Sequence, residues 1–223
     1  MRMLLGLLAA TFAISARAAP CEARSGPNVT ALVELYTSQG CPACPRAEAW
    51  LARLHAREGV VALAVPVDAP SAKRDAWLQQ RKLTQLQRLA LAARPHVLLQ
   101  GRELAAWESA AFDAALATVH ARPANVSVRL EIASIRTGGL TVRAQAVGND
   151  EDLALYLAAY ERDAHRGLRR SLEWLGPLAV GQAHEQALAP PPAAPDAEFG
   201  VAAFVQRRRN AEVLQALLLP ACP

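Results

Sequence analysis

Gly40-Cys41-Pro42-Ala43-Cys44-Pro45 carries the functional groups with the most chemistry to offer. Two cysteines separated by two residues can close a small ring without moving the backbone. When the first sits at a helix N-terminus, its thiol faces unpaired backbone N–H groups and the positive end of the helix dipole. Both favour the thiolate, which is the attacking species. Cys41 is therefore the expected nucleophile, and Cys44, one turn inside, the group that resolves a mixed disulfide. Pro42 suits the first helical position because it has no N–H to satisfy. Two other readings stand beside this one: a static disulfide and a metal site. Zinc usually takes four ligands, and no second C-x-x-C or H-x-x-x-H lies nearby. Two thiolates can hold copper(I), but the methionines are Met1 and Met3 alone, so thioether help is lacking. No cofactor or metal is assigned.

The remaining cysteines, Cys21 and Cys222, stand near the two ends of the chain. Domain termini often lie close together. A structural disulfide between them is expected, and it would tie the C-terminal region to the rest. In the chain-entropy model so long a loop contributes on the order of 4–5 kcal/mol.

Met1 to Pro20 reads as a secretory leader. Arg2 supplies the positive start, Leu4 to Ile14 the apolar run, and Ala16-Arg17-Ala18 the small-x-small pattern, so residues 1–18 are expected to be removed. The apolar run is too short to span a bilayer, and no stable membrane span is expected after cleavage. The expected location is periplasmic or secreted, an oxidising compartment in which disulfides persist.

The surrounding elements must hold the cysteine pair in place. Of 223 residues, 52% are hydrophobic and 20% charged, enough to build substantial cores. There are 24 basic and 20 acidic residues. Arg2 and Arg17 fall in the leader, and no basic stripe is interleaved with aromatics, so nucleic acid is not an expected partner. Val29 to Tyr36 is rich in strand formers on both faces, which suits a doubly covered strand. Thr37 to Gly40 is a polar turn. Ala43, Ala47, Trp50, Leu51 and Leu54 then recur at helical spacing, and Gly59 closes that helix. Val60 to Val67 reads as a second buried strand, Asp75 to Ala93 as a helix, and His96 to Leu99 and Glu103 to Trp107 as strands about Gly101. Ser109 to His120 reads as a helix with Ser109 as its cap. After Arg122-Pro123 the pattern changes. Val126 to Ile135 and Leu140 to Val147 alternate around Thr137-Gly138-Gly139, a hairpin signal. Leu153 to Tyr160, Leu172 to Val180, Gly200 to Gln206 and Ala211 to Leu219 can supply further strands. The prolines from Pro190 to Pro195 mark an exposed loop.

The stretch Leu32-Val33-Glu34-Leu35-Tyr36-Thr37-Ser38-Gln39-Gly40-Cys41-Pro42-Ala43-Cys44-Pro45 resembles the opening of a secreted, thioredoxin-like bacterial family with no assigned function. That family pairs an ELFTSQGCxxCPxA opening with a later TPQ-apolar-apolar-x-G segment. Here Arg94-Pro95-His96-Val97-Leu98-Leu99-Gln100-Gly101 takes the later place, with Arg94 where the family has threonine. The family's HVDYWD stretch is reduced to Pro66-Val67-Asp68-Ala69-Pro70. The resemblance runs from about Val29 to Ala117 and more faintly beyond. It implies an α/β fold: a thioredoxin-like βαβαββα unit over residues 19–121, followed by a smaller antiparallel β domain over 122–223.

The resemblance also implies roles for particular residues. Pro95 occupies the place of a cis-proline that would turn the backbone toward the cysteines and let it pair with an extended substrate. Arg94 would then lie near Cys41; a solvated arginine is the plainer reading. Glu34 corresponds to a buried acid beneath the disulfide that accepts a proton from the resolving cysteine; a strand-end glutamate reaching solvent is its alternative. Trp50, Trp77 and His96 are expected to pack, and Arg207-Arg208-Arg209 to form a solvated turn. The resulting expectation is an exported thiol–disulfide oxidoreductase. Its partners would be a substrate bearing a thiol or disulfide and a separate redox partner. The alternatives are a non-catalytic binding module on the same scaffold and a copper(I)-handling protein.

Overall fold

The structure, a computed structural model, describes residues 21–38, 40–67, 95–136, 139–188 and 197–222. The leader expected over residues 1–18, the helix expected over 75–93 with Trp77, Arg94, the Thr137-Gly138 part of the hairpin turn and the loop from Pro190 to Pro195 lie outside the described residues. Among the described residues the fold is mixed α/β and mostly sheet, with two helices. In chain order the elements are β1 (Glu22–Arg24), β2 (Ala31–Thr37), α1 (Cys44–Leu54), β3 (Val60–Pro66), β4 (His96–Leu99), β5 (Arg102–Glu103) and α2 (Ala110–His120). Seven strands follow: β6 (Val126–Arg136), β7 (Gly139–Gly148), β8 (Leu153–Arg162), β9 (Arg169–Leu178), β10 (Ala183–Leu188), β11 (Glu198–Arg207) and β12 (Val213–Pro220).

Every residue of β2 is buried, as its apolar run requires. It pairs in parallel with β3, from Ala31↔Val60 to Thr37↔Pro66, and antiparallel with β4, through Tyr36↔His96. A parallel neighbour demands a crossover, and α1 supplies it. Helix α1 buries Ala47, Trp50, Leu51 and Leu54 along one stripe. These meet Val33 and Leu35 of β2 and Phe112 and Leu116 of α2. Trp50 stands with its ring centroid 4.9 Å from those of Trp107 and Phe112, so it packs as expected. Helix α2 begins at its expected cap, where Ser109 Oγ accepts from the Ala111 N–H at 3.2 Å.

The expected C-terminal strands correspond to β8, β9, β11 and β12, but they do not form a sheet of their own. One eight-stranded sheet runs β12-β11-β8-β9-β3-β2-β4-β5 and passes through the expected boundary at 121/122 without a break. The two halves meet where β9 adds in parallel to β3, at Ala64↔Arg170. The ends of this strand order also meet: the Val213 N–H donates to the Gln100 carbonyl at 3.1 Å, and Gln100 Nε2 donates to the Val213 carbonyl at 3.0 Å. The sheet therefore curls on itself. Leu32, Tyr36, Leu63, Tyr156, Tyr160 and Phe204 share one core. A second sheet, β1-β6-β7-β10, packs over the other face of β8, β11 and β12. Leu130, Val142, Leu155, Leu157, Val201 and Leu219 fill that interface. Strand β1 belongs to this second sheet, paired with β6. The turn Arg207-Arg208-Arg209 lies between β11 and β12 as expected, but it is ion-paired rather than simply solvated: Arg207 meets Glu212 and Asp150.

Candidate functional site

Strand β2 ends at Thr37, and the chain turns at once toward α1. Gly40 has φ of 73°, in the left-handed region that glycine enters without steric cost. The Cys41 carbonyl accepts from the Cys44 N–H at 3.2 Å, closing a tight turn over Cys41-Pro42-Ala43-Cys44. Pro42 is therefore the second residue of that turn, where its fixed φ is pre-set, and not the first helical residue as expected. The helix starts at Cys44 with Pro45 in its first turn. Its N-cap, Ala43, has no side chain that can accept a hydrogen bond, and no acidic residue stands in the first turn. The dipole end of α1 is thus left uncapped beside the two sulfurs. Cys41 and Cys44 are disulfide-bonded, with Cα atoms 5.4 Å apart.

The pair is less open than a sulfur perched at a helix end would be. Cys41 is 5% exposed and Cys44 4%. Both line a cleft of about 310 Å³, together with Thr37, Ser38 and Gly40, with Ala64, Pro66 and Arg170 from β3 and β9, and with Pro45 and Glu48 from α1. Access to the sulfurs runs through this cleft. Among the described residues no group of three or more His, Cys, Asp or Glu side chains gathers as a metal site. A copper(I) ion at this point would have the two thiolates as its protein ligands.

A family model described as protein of unknown function, DUF1223, matches residues 32–206. The chain belongs to this family. The DUF1223 match begins within β2 and ends within β11, so it takes in the cleft and the β9 junction and stops short of β12. A crystal structure of a protein from Agrobacterium tumefaciens is similar in fold, with a TM-score of 0.51 and 20% identity, covering 87% of this chain and 96% of that one. No curated protein matches the chain.

The cleft of this DUF1223 member brings together some of the expected site residues and leaves others apart. The register Tyr36↔His96 places Pro95 beside the Thr37 end of β2, the end from which the Cys41 turn departs. The Arg94–Pro95 peptide bond involves a residue outside the described set. His96 is buried, as expected, and its Nδ1 also lies 2.8 Å from Glu103 Oε1. Glu34 is 1% exposed, so it does not reach solvent. It also does not line the cleft. Strand alternation puts Val33 and Leu35 against α1 and turns Leu32, Glu34 and Tyr36 to the opposite face. There its carboxylate accepts from the Tyr36 hydroxyl at 2.9 Å.

Two cleft residues escaped the sequence reading. Arg170 comes from β9, and no local pattern links it to the cysteines. Glu48, on α1, carries a side chain only 19% exposed and pairs with Arg166 at 3.6 Å. Arg166 sits in the loop between β8 and β9. Asp163 shapes that loop by accepting from the backbone N–H groups of Arg166 at 3.0 Å and His165 at 2.8 Å, which hold its carboxyl below the usual carboxylate range.

Cys21 and Cys222 also stand at disulfide distance, with Cα atoms 5.7 Å apart. The Ile132 N–H donates to the Cys21 carbonyl at 2.8 Å, and the Ala221 N–H to the Phe199 carbonyl at 2.8 Å. Both cysteines thus belong to the region where β1, β6, β11 and β12 converge. The bridge staples the two described ends together there, joining the end of β12 to the start of β1, which pairs with β6.

Proposed function

We propose that this protein is an exported thiol–disulfide oxidoreductase in which Cys41 attacks and Cys44 resolves. The observation that carries this reading is the cysteine pair closed across a tight turn at the uncapped start of α1, on the wall of a cleft. The element order β2, α1, β3, then β4, β5 and α2, supports the thioredoxin-like reading of residues 19–121. In the reduced protein, the Cys41 thiolate attacks one sulfur of a substrate disulfide. A mixed disulfide forms, and the substrate's other sulfur leaves as a thiolate that takes up a proton. Cys44, once deprotonated, attacks the Cys41 sulfur, releasing the second substrate thiol and leaving the Cys41–Cys44 disulfide. Two electrons pass from protein to substrate, and a dithiol partner must restore them. The same steps in reverse oxidise a substrate dithiol. Arg170 lines the same cleft, and a positive charge there would favour the thiolate. Pro95 would align the substrate backbone at the same end of β2.

The burial of both sulfurs favours a second reading, a binding module whose Cys41–Cys44 bridge merely braces the turn. Insulin reduction and thiol oxidation, assayed on the wild type and on Cys41→Ser, separate the two. Activity in the wild type and its loss in Cys41→Ser support the oxidoreductase; equal rates in both proteins remove it.

A further inference from the structure

The cleft at the disulfide does not end at Glu48. A second cavity of about 640 Å³ shares Pro45 and Glu48 with it and continues along the outer face of α1 to the β8–β9 loop. Its floor is apolar and shallow. Ala49, Ala52 and Ala56 recur at helical spacing on the α1 side, and Leu168 closes the other side. A run of alanines leaves room for a main chain to lie close, with small side chains of its own. The rim is cationic. Arg53 and Arg166 border the groove, and Arg170 stands at its disulfide end. Among the described residues Glu48 is the one acidic side chain on its walls, and its pairing with Arg166 at 3.6 Å offsets part of the positive rim, leaving Arg53 and Arg170 in excess. His55, at the far end, accepts from Arg162 Nη2 through Nε2 at 2.9 Å while its Nδ1 faces the Ala52 carbonyl.

We infer that this groove binds the peptide segment flanking the substrate's cysteine, and that the segment is acidic and rich in small apolar residues. The inference rests on the oxidoreductase reading and names the substrate class of the same site. Acidic flanks would meet Arg53 and Arg166, small side chains would rest on the alanine face, and the cysteine would reach Cys41 past Pro45 and Arg170.

The test uses two disulfide-bearing peptides of equal length, one with Asp and Ala flanking its cysteine and one with Lys and Ala, together with the neutral 2-hydroxyethyl disulfide. Exchange is followed with the reduced full chain, and each peptide rate is divided by that protein's rate with the neutral disulfide. The expected result is at least about a tenfold preference for the acidic peptide at low salt, shrinking as salt is added. The double variant Arg53→Glu, Arg166→Glu should abolish or invert the preference. Equal rates for the two peptides, or a preference that survives the double variant, would overturn the inference. If the neutral disulfide does not exchange at all, the oxidoreductase reading is what fails. Fluorescence anisotropy with serine-for-cysteine versions of both peptides then decides the groove separately: selective binding of the acidic peptide sustains it, and equal or absent binding sinks it.

Discussion

Ala64 and Arg170 are register partners in adjacent parallel strands, and the Ser171 hydroxyl reinforces the pairing by donating to the Ala64 carbonyl at 2.8 Å. This seam joins the two halves of the eight-stranded sheet and brings Arg170 from the second half to the wall of a cleft built by the first. Its consequence is testable in the reduced protein. In Arg170→Gln the Cys41 thiolate loses a nearby positive charge, so alkylation at neutral pH should slow, by up to about tenfold for about 1.4 kcal/mol of lost stabilisation. Arg170→Lys should recover most of the rate. Stopped-flow alkylation of the three proteins checks this. Identical rates in the wild type and Arg170→Gln would mean that Arg170 lines the cleft without acting on the sulfur.

The other closure of the sheet depends on Gln100, which is 5% exposed. Its Oε1 accepts from the Leu32 N–H at 2.6 Å, and its Nε2 donates to the Val213 carbonyl at 3.0 Å. One side chain thus satisfies two buried backbone groups from opposite halves of the molecule. Gln100→Met keeps the volume and leaves both groups unpaired, at a cost of about 1–3 kcal/mol each. The urea midpoint should fall accordingly. An unchanged midpoint would show that the two groups find other partners.

Local patterns carried the sequence reading as far as local patterns reach. The apolar run before Cys41 marks β2, the stripe through Ala47, Trp50, Leu51 and Leu54 marks α1, and the C-x-x-C between them marks the site. What the sequence hid is long-range or depends on parity. The pairing of β9 with β3 joins strands far apart in the chain, so neither Arg170 nor the depth of the cleft could be foreseen. Glu34 sits between apolar residues on both faces of a doubly covered strand, and such a strand does not declare which face meets the helix. A cysteine pair followed by two prolines, Pro42 after the first and Pro45 after the second, fits either a helix start or a turn before one. The Cys41–Cys44 hydrogen bond decides for the turn.

The Cys21–Cys222 bridge makes its own prediction, separate from the cleft. Removing a native disulfide typically costs about 2–5 kcal/mol. Cys222→Ser should therefore lower the urea midpoint, Cys21→Ser should lower it equally, and the double variant should fall no further. Cleft-dependent exchange should persist in all three at temperatures where they remain folded. Intact mass with and without reductant reports the number of bridges directly. A single bridge in the wild type would remove one of the two pairs.

Tyr160 links burial to behaviour in alkali. It is 1% exposed, and the Arg169 guanidinium lies 5.8 Å from its ring centroid. Burial pushes its phenol up to about 12, although the charge of Arg169 pulls the other way. Desolvation wins because the phenolate loses more solvation in the core than the one cation beside it returns. The same burial pushes Arg169 below its ordinary value. An unfolded tyrosine ionises near about 10. The folded value is the higher of the two, so the contribution of Tyr160 to stability is complete below about pH 10. It is lost as the pH climbs from there through about 12. Phenolate absorbance of the folded protein should show Tyr160 as a late step in alkali, and Tyr160→Phe should remove that step. Unfolding free energies measured across the same interval should decline less steeply in the variant. An equal decline in both proteins would place the alkaline loss in other groups and leave Tyr160 without a part in it.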